Sequence, residues 1–591
     1  MQTWHSGELI SRENPHACGM ARTSMSERGS PPSQNQSAMQ DLTIINHKLW
    51  QQERLGKKIL SNFAAGKKQV NISILFCKRK HMDNISVKKS LYRLTMPIFI
   101  DIALVMLLGA VDTVMLSRYS DDAVAAVGLD NQLVSFVFLI YQFVSMGAAI
   151  LCAQYFGAGL RVRFMQIVGI AVIVNTLLGI TVSGVLCLWA EELLRGFGLR
   201  EGLMADGVRY LKITGALSFF QALSLTFSAS LRSTGKTVKP MLATVAVNLL
   251  NIAGNYALIF GHWGCPAMGV EGAAWATAGS RIAATIILAC FMPAIWPTYT
   301  GSENGESRTL TSRLQAMLSS FLPSRMRHTL LQLPLYTLRA SYIILKFPVK
   351  AAAKSVSAVT ALNASYKSYF RPFPWQEMRN LFHIGIPAMS EEMSYSLSQI
   401  VITYFINQIS TDALATKVYC TTTITFVILF STSIVQGGDI LVGHYVGRLR
   451  YRAAYLLGNY VYRIGMTLTL IVAAALAIGG HTLMTCLTEN SDIIRMGTYI
   501  FCIDFFLSYG RVKNIFACGT LRATGDAIYP VVVGVICQWT VAVGIAWLLG
   551  IPLGLGLIGI WIAFCMDENL RGIILMRRWH SQRWRGKAFT T

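Results

Sequence analysis

The sequence predicts an all-α membrane protein whose twelve transmembrane helices form two parallel-repeat six-helix bundles. Three observations carry that reading. The 591-residue chain is 53% hydrophobic and only 14% charged, with a mean hydropathy of +0.46, too apolar for a soluble globular protein of this length. Its apolar runs are continuous over about 20 residues, the length that carries a helix across a hydrocarbon core ~30 Å thick, and do not alternate as barrel strands do. The second half of the chain repeats landmarks of the first at a constant offset of 290 residues.

Residues 1–87 are polar and mixed, lack the charged, apolar, then small-residue order of a cleaved signal, and read as a disordered extension. Met82, which opens MDNISVKKSLYRL, would make a natural start just ahead of the first membrane helix. Apolar segments follow at about 91–117, 123–147, 164–190, 206–229, 241–260 and 271–295, giving a first lobe over 88–296. A second set at about 382–408, 413–439, 456–486, 494–518, 530–550 and 557–576 gives a second lobe over 381–579. The basic stretch 297–380 reads as a cytoplasmic connector, and 580–591 as a basic cytoplasmic tail.

Successive loops alternate in character. GAGLRVR, LRSTGKTVK, GRLRYR, LRATGD, the connector and the tail gather lysine and arginine on one side, which places that side and both termini in the cytoplasm. The net charge of +23 is spread over these patches, so it suits orientation and anionic-lipid contact rather than a nucleic-acid surface. The twelve cysteines form no CxxC pair and mostly lie in apolar runs, where cysteine behaves as a small hydrophobe. No disulfide framework, zinc site or cofactor is implied.

The offset pairs Pro97 with Pro387, Asp101 with Glu391, Asp122 with Asp412, Gly147 with Gly437, Tyr155 and Gly157 with Tyr445 and Gly447, and RSTGKTVKP with RATGDAIYP. Matches in this order and on the same side each time argue for duplication. Six crossings return a chain to its starting side, so the copies share one orientation, as in two-bundle transporters whose substrate cavity lies at the repeat interface.

Asp112 is a carboxylate near the far end of the first apolar run. A charge at a helix centre costs roughly 2.5–3.5 kcal/mol, and such residues usually face a pathway. Solvation from the outer loop, about six residues away, is the other reading. Asn248, Asn251 and Asn255 form a polar stripe on the fifth helix. Glu391 and Glu392 are adjacent, so they are expected on different helix faces and not on one cavity wall, with Glu391 a solvated cap. Asp504 and Arg511 suggest an ion pair or a substrate contact, and Asp567 and Arg571, four apart, an intrahelical pair. Asp439 suits the cavity mouth, and Gln132, Tyr141, Met146, Tyr395 and Phe405 are candidate walls for an adaptable aromatic pocket.

The stretches GAVDTVMLSRYSDDAVAAVG, LRSTGKTVKP, NLLNIAGNYALIFG, GIPAMSEEMSYSLSQIVITYFI, LRATGD and FCMDENLRGIILMRRW occur in order over about 88–296 and 371–585. With them the chain resembles the multidrug and toxic compound extrusion (MATE) family of bacteria. The resemblance implies a two-lobe antiporter, not an enzyme, in the bacterial inner membrane, exporting small organic, often cationic, compounds in exchange for protons or sodium ions. Its implied partners are that substrate, the coupling cation and membrane lipids, with no nucleic acid, and the protein is expected to be a monomer. Asp112 matches the family's first-helix ion-coupling residue, with Asn251 and Asn255 beside it. Where two-carboxylate members carry a fifth-helix Asp, this chain has Asn255, leaving one titratable group. Other members couple through a carboxylate deeper in the seventh helix, and here that depth reads Ser396, Ser398 and Gln399, which moves coupling to the first lobe. Arg511 and Asn514 match a Gly-Arg…Asn pattern of one branch and are expected in the substrate cavity.

Three rival readings are set against this one. A related flippase of lipid-linked saccharides would carry extra helices and several cavity Arg and Lys, whereas few intramembrane cations beyond Arg511 are evident in the sequence. A membrane enzyme would need a motif such as HExxH or GxSxG near a membrane surface. A membrane-tethered interaction protein would act through the connector.

Overall fold

A computed structural model describes residues 72–292, 370 and 372–590. The expectations for residues 1–71 and for the connector up to residue 369 lie outside the described residues. The chain divides into two compact units, 1–83 and 84–591, and both lobes lie in the second.

Among the described residues there is no strand, and twelve membrane crossings follow one another. The first three are α1 (Ile72–Ser117), α2 (Asp121–Ala158) and α3 (Arg161–Leu188). Ser120 caps α2 by accepting from the Asp122 N–H, and Gly159 ends it in the left-handed region at φ 76°, where a Cβ would be strained. A short α4 (Ala190–Gly196) leads to a broken fourth crossing, α5 (Met204–Ala216) and α6 (Phe219–Ser233). Hydroxyls hold the break: Ser218 Oγ lies 2.8 Å from the Tyr141 hydroxyl and 3.0 Å from Ser183 Oγ, which accepts from the Phe219 N–H at 3.2 Å. α7 (Val238–Phe260) and α8 (Gly269–Phe291) complete the N-lobe.

The C-lobe repeats the plan with α9 (Trp375–Ile409), α10 (Thr411–Gly447), α11 (Tyr451–Leu487) and α12 (Ser491–Ala523). Its eleventh helix is α13 (Ile528–Cys537), a π-helical segment Gln538–Ile545, and α14 (Ala546–Gly550), and its twelfth is α15 (Gly556–His580). Nine of the described helices are each apolar and long enough to cross a membrane. The broken fourth completes the set, with the seventh and twelfth, whose adjacent acids Glu391–Glu392 and Asp567–Glu568 lower their hydropathy.

Several helices outrun the apolar segments that predict them. α2 and α10 continue to Ala158 and Gly447, and α9 starts at Trp375. On α2 and α10 these added turns are themselves mostly apolar and pack against the other lobe, so the crossings are longer than the ~20-residue run that marks them. Tyr155 is fully buried there, its hydroxyl donating to Glu377 Oε2 at 2.5 Å across the lobe boundary.

The lobes meet along a seam formed by the basic-loop halves of α1, α2, α9 and α10. Phe99 packs on Phe430 and Phe143 on Phe382, with ring centroids 5.0 and 5.6 Å apart. Gly157 lies on the main chain of His444 and Gly447 on that of Gln154, so close that a Cβ at either glycine would collide with backbone. The basic tail is folded onto this end. Trp584 is fully buried and stacks on Trp579 at 4.9 Å, Lys587 donates to Asp526 Oδ1 at 2.6 Å, and the Phe589 N–H donates to Gln154 Oε1 at 3.0 Å.

The duplicated arginine of RSTGK and RATGD has one job in both lobes. Arg232 pairs with Asp101, and Arg522, 290 residues on, pairs with Glu391, likewise 290 residues beyond Asp101. Glu391 is therefore not a solvated cap. Only 8% of it is exposed, because Arg522 at the end of α12 reaches under it.

Candidate functional site

Beside the seam the lobes enclose a cavity of about 770 Å³. A smaller cavity of about 190 Å³ adjoins it inside the C-lobe, and the two share Tyr395, Arg511, Gln538, Glu568 and Arg571 as wall. Of the residues expected at the cavity, Met146, Tyr395, Asp439, Arg511 and Asn514 line it. Gln132 and Tyr141 do not. Gln132 is exposed away from this wall, and Tyr141 is fully buried against Ser218, while Gln142 reaches the cavity instead. Phe405 packs into a C-lobe hydrophobic cluster. Glu391 and Glu392 both reach the cavity despite being adjacent, because the wall curves around α9 and receives two of its faces.

The cavity is rich in charge. Arg232, Arg511, Arg522 and Arg571 all line it, and Arg281 lies within the N-lobe, so intramembrane cations extend well beyond Arg511. Each wall arginine has a carboxylate. Arg511 donates to Asp504 Oδ1 at 3.2 Å, Arg571 meets Asp567 at 2.5 Å and Glu568 at 3.3 Å, and the remaining two hold Asp101 and Glu391. Asn514 adds a bond to Glu568 Oε2 at 2.8 Å. Two wall carboxylates, Glu392 and Asp439, make no ion pair or side-chain hydrogen bond among the described residues, and Asp439 Oδ1 is buried without a partner.

Gln538 lines both cavities, held from behind by Ser394. Ser394 Oγ donates to Gln538 Oε1 at 2.7 Å and accepts from Trp539 Nε1 at 3.1 Å, tying α9 to the start of the π-helical segment. Such widened turns recur at functional sites because they re-aim a side chain without breaking the helix. The available signal was a lone glutamine in the apolar run VVVGVICQWTVAV.

The second polar group lies inside the N-lobe, off the cavity wall. Asn255 Nδ2 donates to Asp112 Oδ1 at 2.7 Å and to Asn251 Oδ1 at 3.0 Å, and Asn251 Nδ2 reaches Ser280 Oγ at 3.4 Å and Thr277 Oγ1 at 3.5 Å. Asp112, Asn251 and Asn255 are thus one connected cluster that joins α1 to α7 and, through Thr277 and Ser280, to α8. Asn248 stands apart, donating to the Leu104 carbonyl at 2.8 Å and gluing α7 to α1. No group of three or more His, Cys, Asp or Glu gathers as a metal site among the described residues.

The sequence profile of the MatE family matches residues 97–257 and again 387–548, one match in each lobe. A Bacillus subtilis protein named as the uncharacterized transporter YisQ is 34% identical over 497 residues, covering 84% of this chain and 94% of the relative. A Thermotoga maritima protein named as a probable multidrug resistance protein, NorM, is 26% identical over 518 residues, covering 85% and 95% of the two chains. Among solved structures, a MATE transporter in its bent conformation superposes with a TM-score of 0.66 at 17% identity, over 84% of this chain and 95% of that one. An outward-facing multidrug resistance MATE transporter of the MOP superfamily gives 0.65 at 16% identity, over 84% and 96%.

Proposed function

The chain belongs to the MatE family of membrane transporters, and on that premise we propose that it is an antiporter exporting organic cations in exchange for protons or sodium ions. The observation that carries this reading is the charge balance of the cavity wall. Four arginines meet five carboxylates, Arg571 holding two of them, and Glu392 and Asp439 have no arginine partner among the described residues, so acids outnumber bases around the cavity. In a cavity bordered by low-dielectric protein, unpaired carboxylates attract a cation more strongly than they would in bulk solvent. Met146 and Tyr395 add the adaptable apolar and aromatic surface that a varied set of organic molecules needs.

Asp112 is the coupling residue in this reading, with Asn255 and Asn251 orienting it. Its charge changes when the driving cation arrives, and that change reaches the cavity through the N-lobe helices rather than by contact with substrate. The seam closes the basic-loop end, which the positive-inside rule assigns to the cytoplasm, so the arrangement suits the outward-facing half of an alternating-access cycle. The protein then works as a monomer in a bacterial cytoplasmic membrane with both termini inside.

The test is export of a fluorescent organic cation from membrane vesicles under separately imposed proton and sodium gradients. Wild-type protein is expected to respond to one gradient, and Asp112→Asn to lose that response. Gradient-dependent efflux at the wild-type rate in Asp112→Asn would overturn the coupling assignment.

A further inference from the structure

The segment that follows α15 is held by both lobes. Residues 581–590 turn back onto the C-lobe, where Trp584 is fully buried, stacks on Trp579 and donates from Nε1 to the Trp579 carbonyl at 3.1 Å. Tyr451, at the start of α11, closes on the Trp584 ring with centroids 6.1 Å apart. Three residues on, Lys587 shares Asp526 with Arg578: Lys587 Nζ lies 2.6 Å from Oδ1 and Arg578 Nε lies 2.9 Å from Oδ2. A buried indole and a charge-assisted bond to a buried carboxylate thus anchor this strap to the C-lobe.

The strap then crosses to the N-lobe. The Phe589 N–H donates to Gln154 Oε1 on α2 at 3.0 Å, and the Phe589 ring packs on the cluster that α2 and α3 build with Leu381, Ile384 and Ala527. Gln154 is fully buried, and its Nε2 donates to the Ala523 carbonyl at 2.8 Å. Both ends of its amide are therefore engaged, and the strap fixes which end faces Ala523.

The seat of the strap is built into the second repeat alone. Asp526 corresponds to Lys236 in the first repeat. Gly525 lies so close to the strap that a Cβ there would stand 2.1 Å from the Lys587 carbonyl oxygen, whereas a Cβ at its repeat mate Gly235 would meet Leu94 Cδ2 at an ordinary 3.6 Å.

We propose that residues 581–590 are a latch on the basic-loop end: Trp584 and Lys587 fix it to the C-lobe, Phe589 holds α2 of the N-lobe, and that second hold is released each time this end opens. The proposal rests on the alternating-access reading. The division of contacts decides where the latch parts. Separating the lobes at this end carries Gln154 away with α2, while the buried Trp584 and the paired Lys587 stay with the C-lobe. One amide hydrogen bond and one ring contact are weaker than that anchor, so they give way first. None of residues 581–590 lines the cavity, so the latch biases the equilibrium between closed and open forms without touching substrate.

The experiment measures spin-label distances between exposed positions 161 and 450 in the full chain in lipid nanodiscs, across a range of pH and sodium concentration. The closed and open populations of wild type are compared with those of Phe589→Pro, which removes both the N–H and the ring, and of a chain lacking residues 588–591, which keeps Trp584 and Lys587. Each variant is expected to raise the open-to-closed ratio about fivefold or more. A ratio unchanged in Phe589→Pro overturns the proposal whatever the shortened chain does. Should Phe589→Pro fail to insert, the shortened chain decides: a raised ratio supports the latch, and an unchanged one overturns it. A wild type that stays closed under every condition sinks the alternating-access reading and the latch with it, whereas a wild type that opens with a ratio indifferent to Phe589→Pro sinks the latch alone.

Discussion

Gln154 and His444 stand 290 residues apart and perform one act from opposite lobes. Gln154 Nε2 donates to the Ala523 carbonyl at 2.8 Å, and His444 Nε2 donates to the Ser233 carbonyl at 2.6 Å. Ser233 and Ala523 are themselves repeat partners. Each bond runs from α2 or α10 to the end of the crossing that precedes the arginine loop of its partner lobe, so together they clasp the basic-loop end from both sides.

Glutamine already performs this task at position 154, so His444→Gln is expected to keep the seam closed, while His444→Leu loses one bond. One such bond is worth about 1 kcal/mol, a roughly fivefold shift between closed and open forms. Spin-label distances between exposed positions 161 and 450 report it. Equal distance distributions in His444→Leu and wild type would show that the bond does not hold the seam.

The two equivalent ion pairs differ in shelter. In Arg522–Glu391 the side chains are 9% and 11% exposed, whereas Arg232 opposite Asp101 is 30% exposed. Leaving a carboxylate unpaired is costlier where water cannot replace the lost arginine. Arg522→Gln is therefore expected to destabilise by about 3–5 kcal/mol and Arg232→Gln by clearly less. Thermal unfolding of the purified variants in detergent ranks them, and the reverse ranking contradicts the argument.

The glycines of the seam make a paired test on α2 and α10. A Cβ at Gly447 meets the Gln154 carbonyl, which is main chain and cannot swing aside, so Gly447→Ala is expected to cost about 1–3 kcal/mol in the closed form. Gly128, also on α2, has open space at its Cβ position, and Gly128→Ala is expected to be neutral or to gain up to about 1 kcal/mol of helix propensity. Unfolding midpoints and seam distances measured for both variants separate packing from propensity.

What the sequence made legible follows from what hydropathy and register record. Long apolar runs mark membrane crossings whatever packs on them, and the 290-residue offset survives in loops such as RSTGK and RATGD, so the bundles and their orientation relative to each other could be read directly. The stripe of Asn251 and Asn255 beside Asp112 was readable because four residues make one turn. Rotation of a helix about its own axis is not written in hydropathy, since lipid and protein are both apolar. That is why the sequence suggests Tyr141 and Gln132 for the wall that Gln142 occupies in the structure. The same offset that pairs Arg232 with Arg522 also pairs Arg281 with Arg571, although the positions before Arg281 that match Asp567 and Glu568 are Thr277 and Ala278.

The reciprocity at the seam has a further consequence. Gly157 on His444 answers Gly447 on Gln154, which is the isologous geometry of a C2 homodimer, here made within one chain. In a true homodimer every side chain appears twice, so an acid on the first helix would stand in both halves and the interior charges would come in even numbers. Joining the halves covalently lets position 112 be Asp while position 402 is Ile, and lets Arg281 stand without the acids that flank Arg571. An odd charge is available to this architecture because its two halves are no longer obliged to be identical.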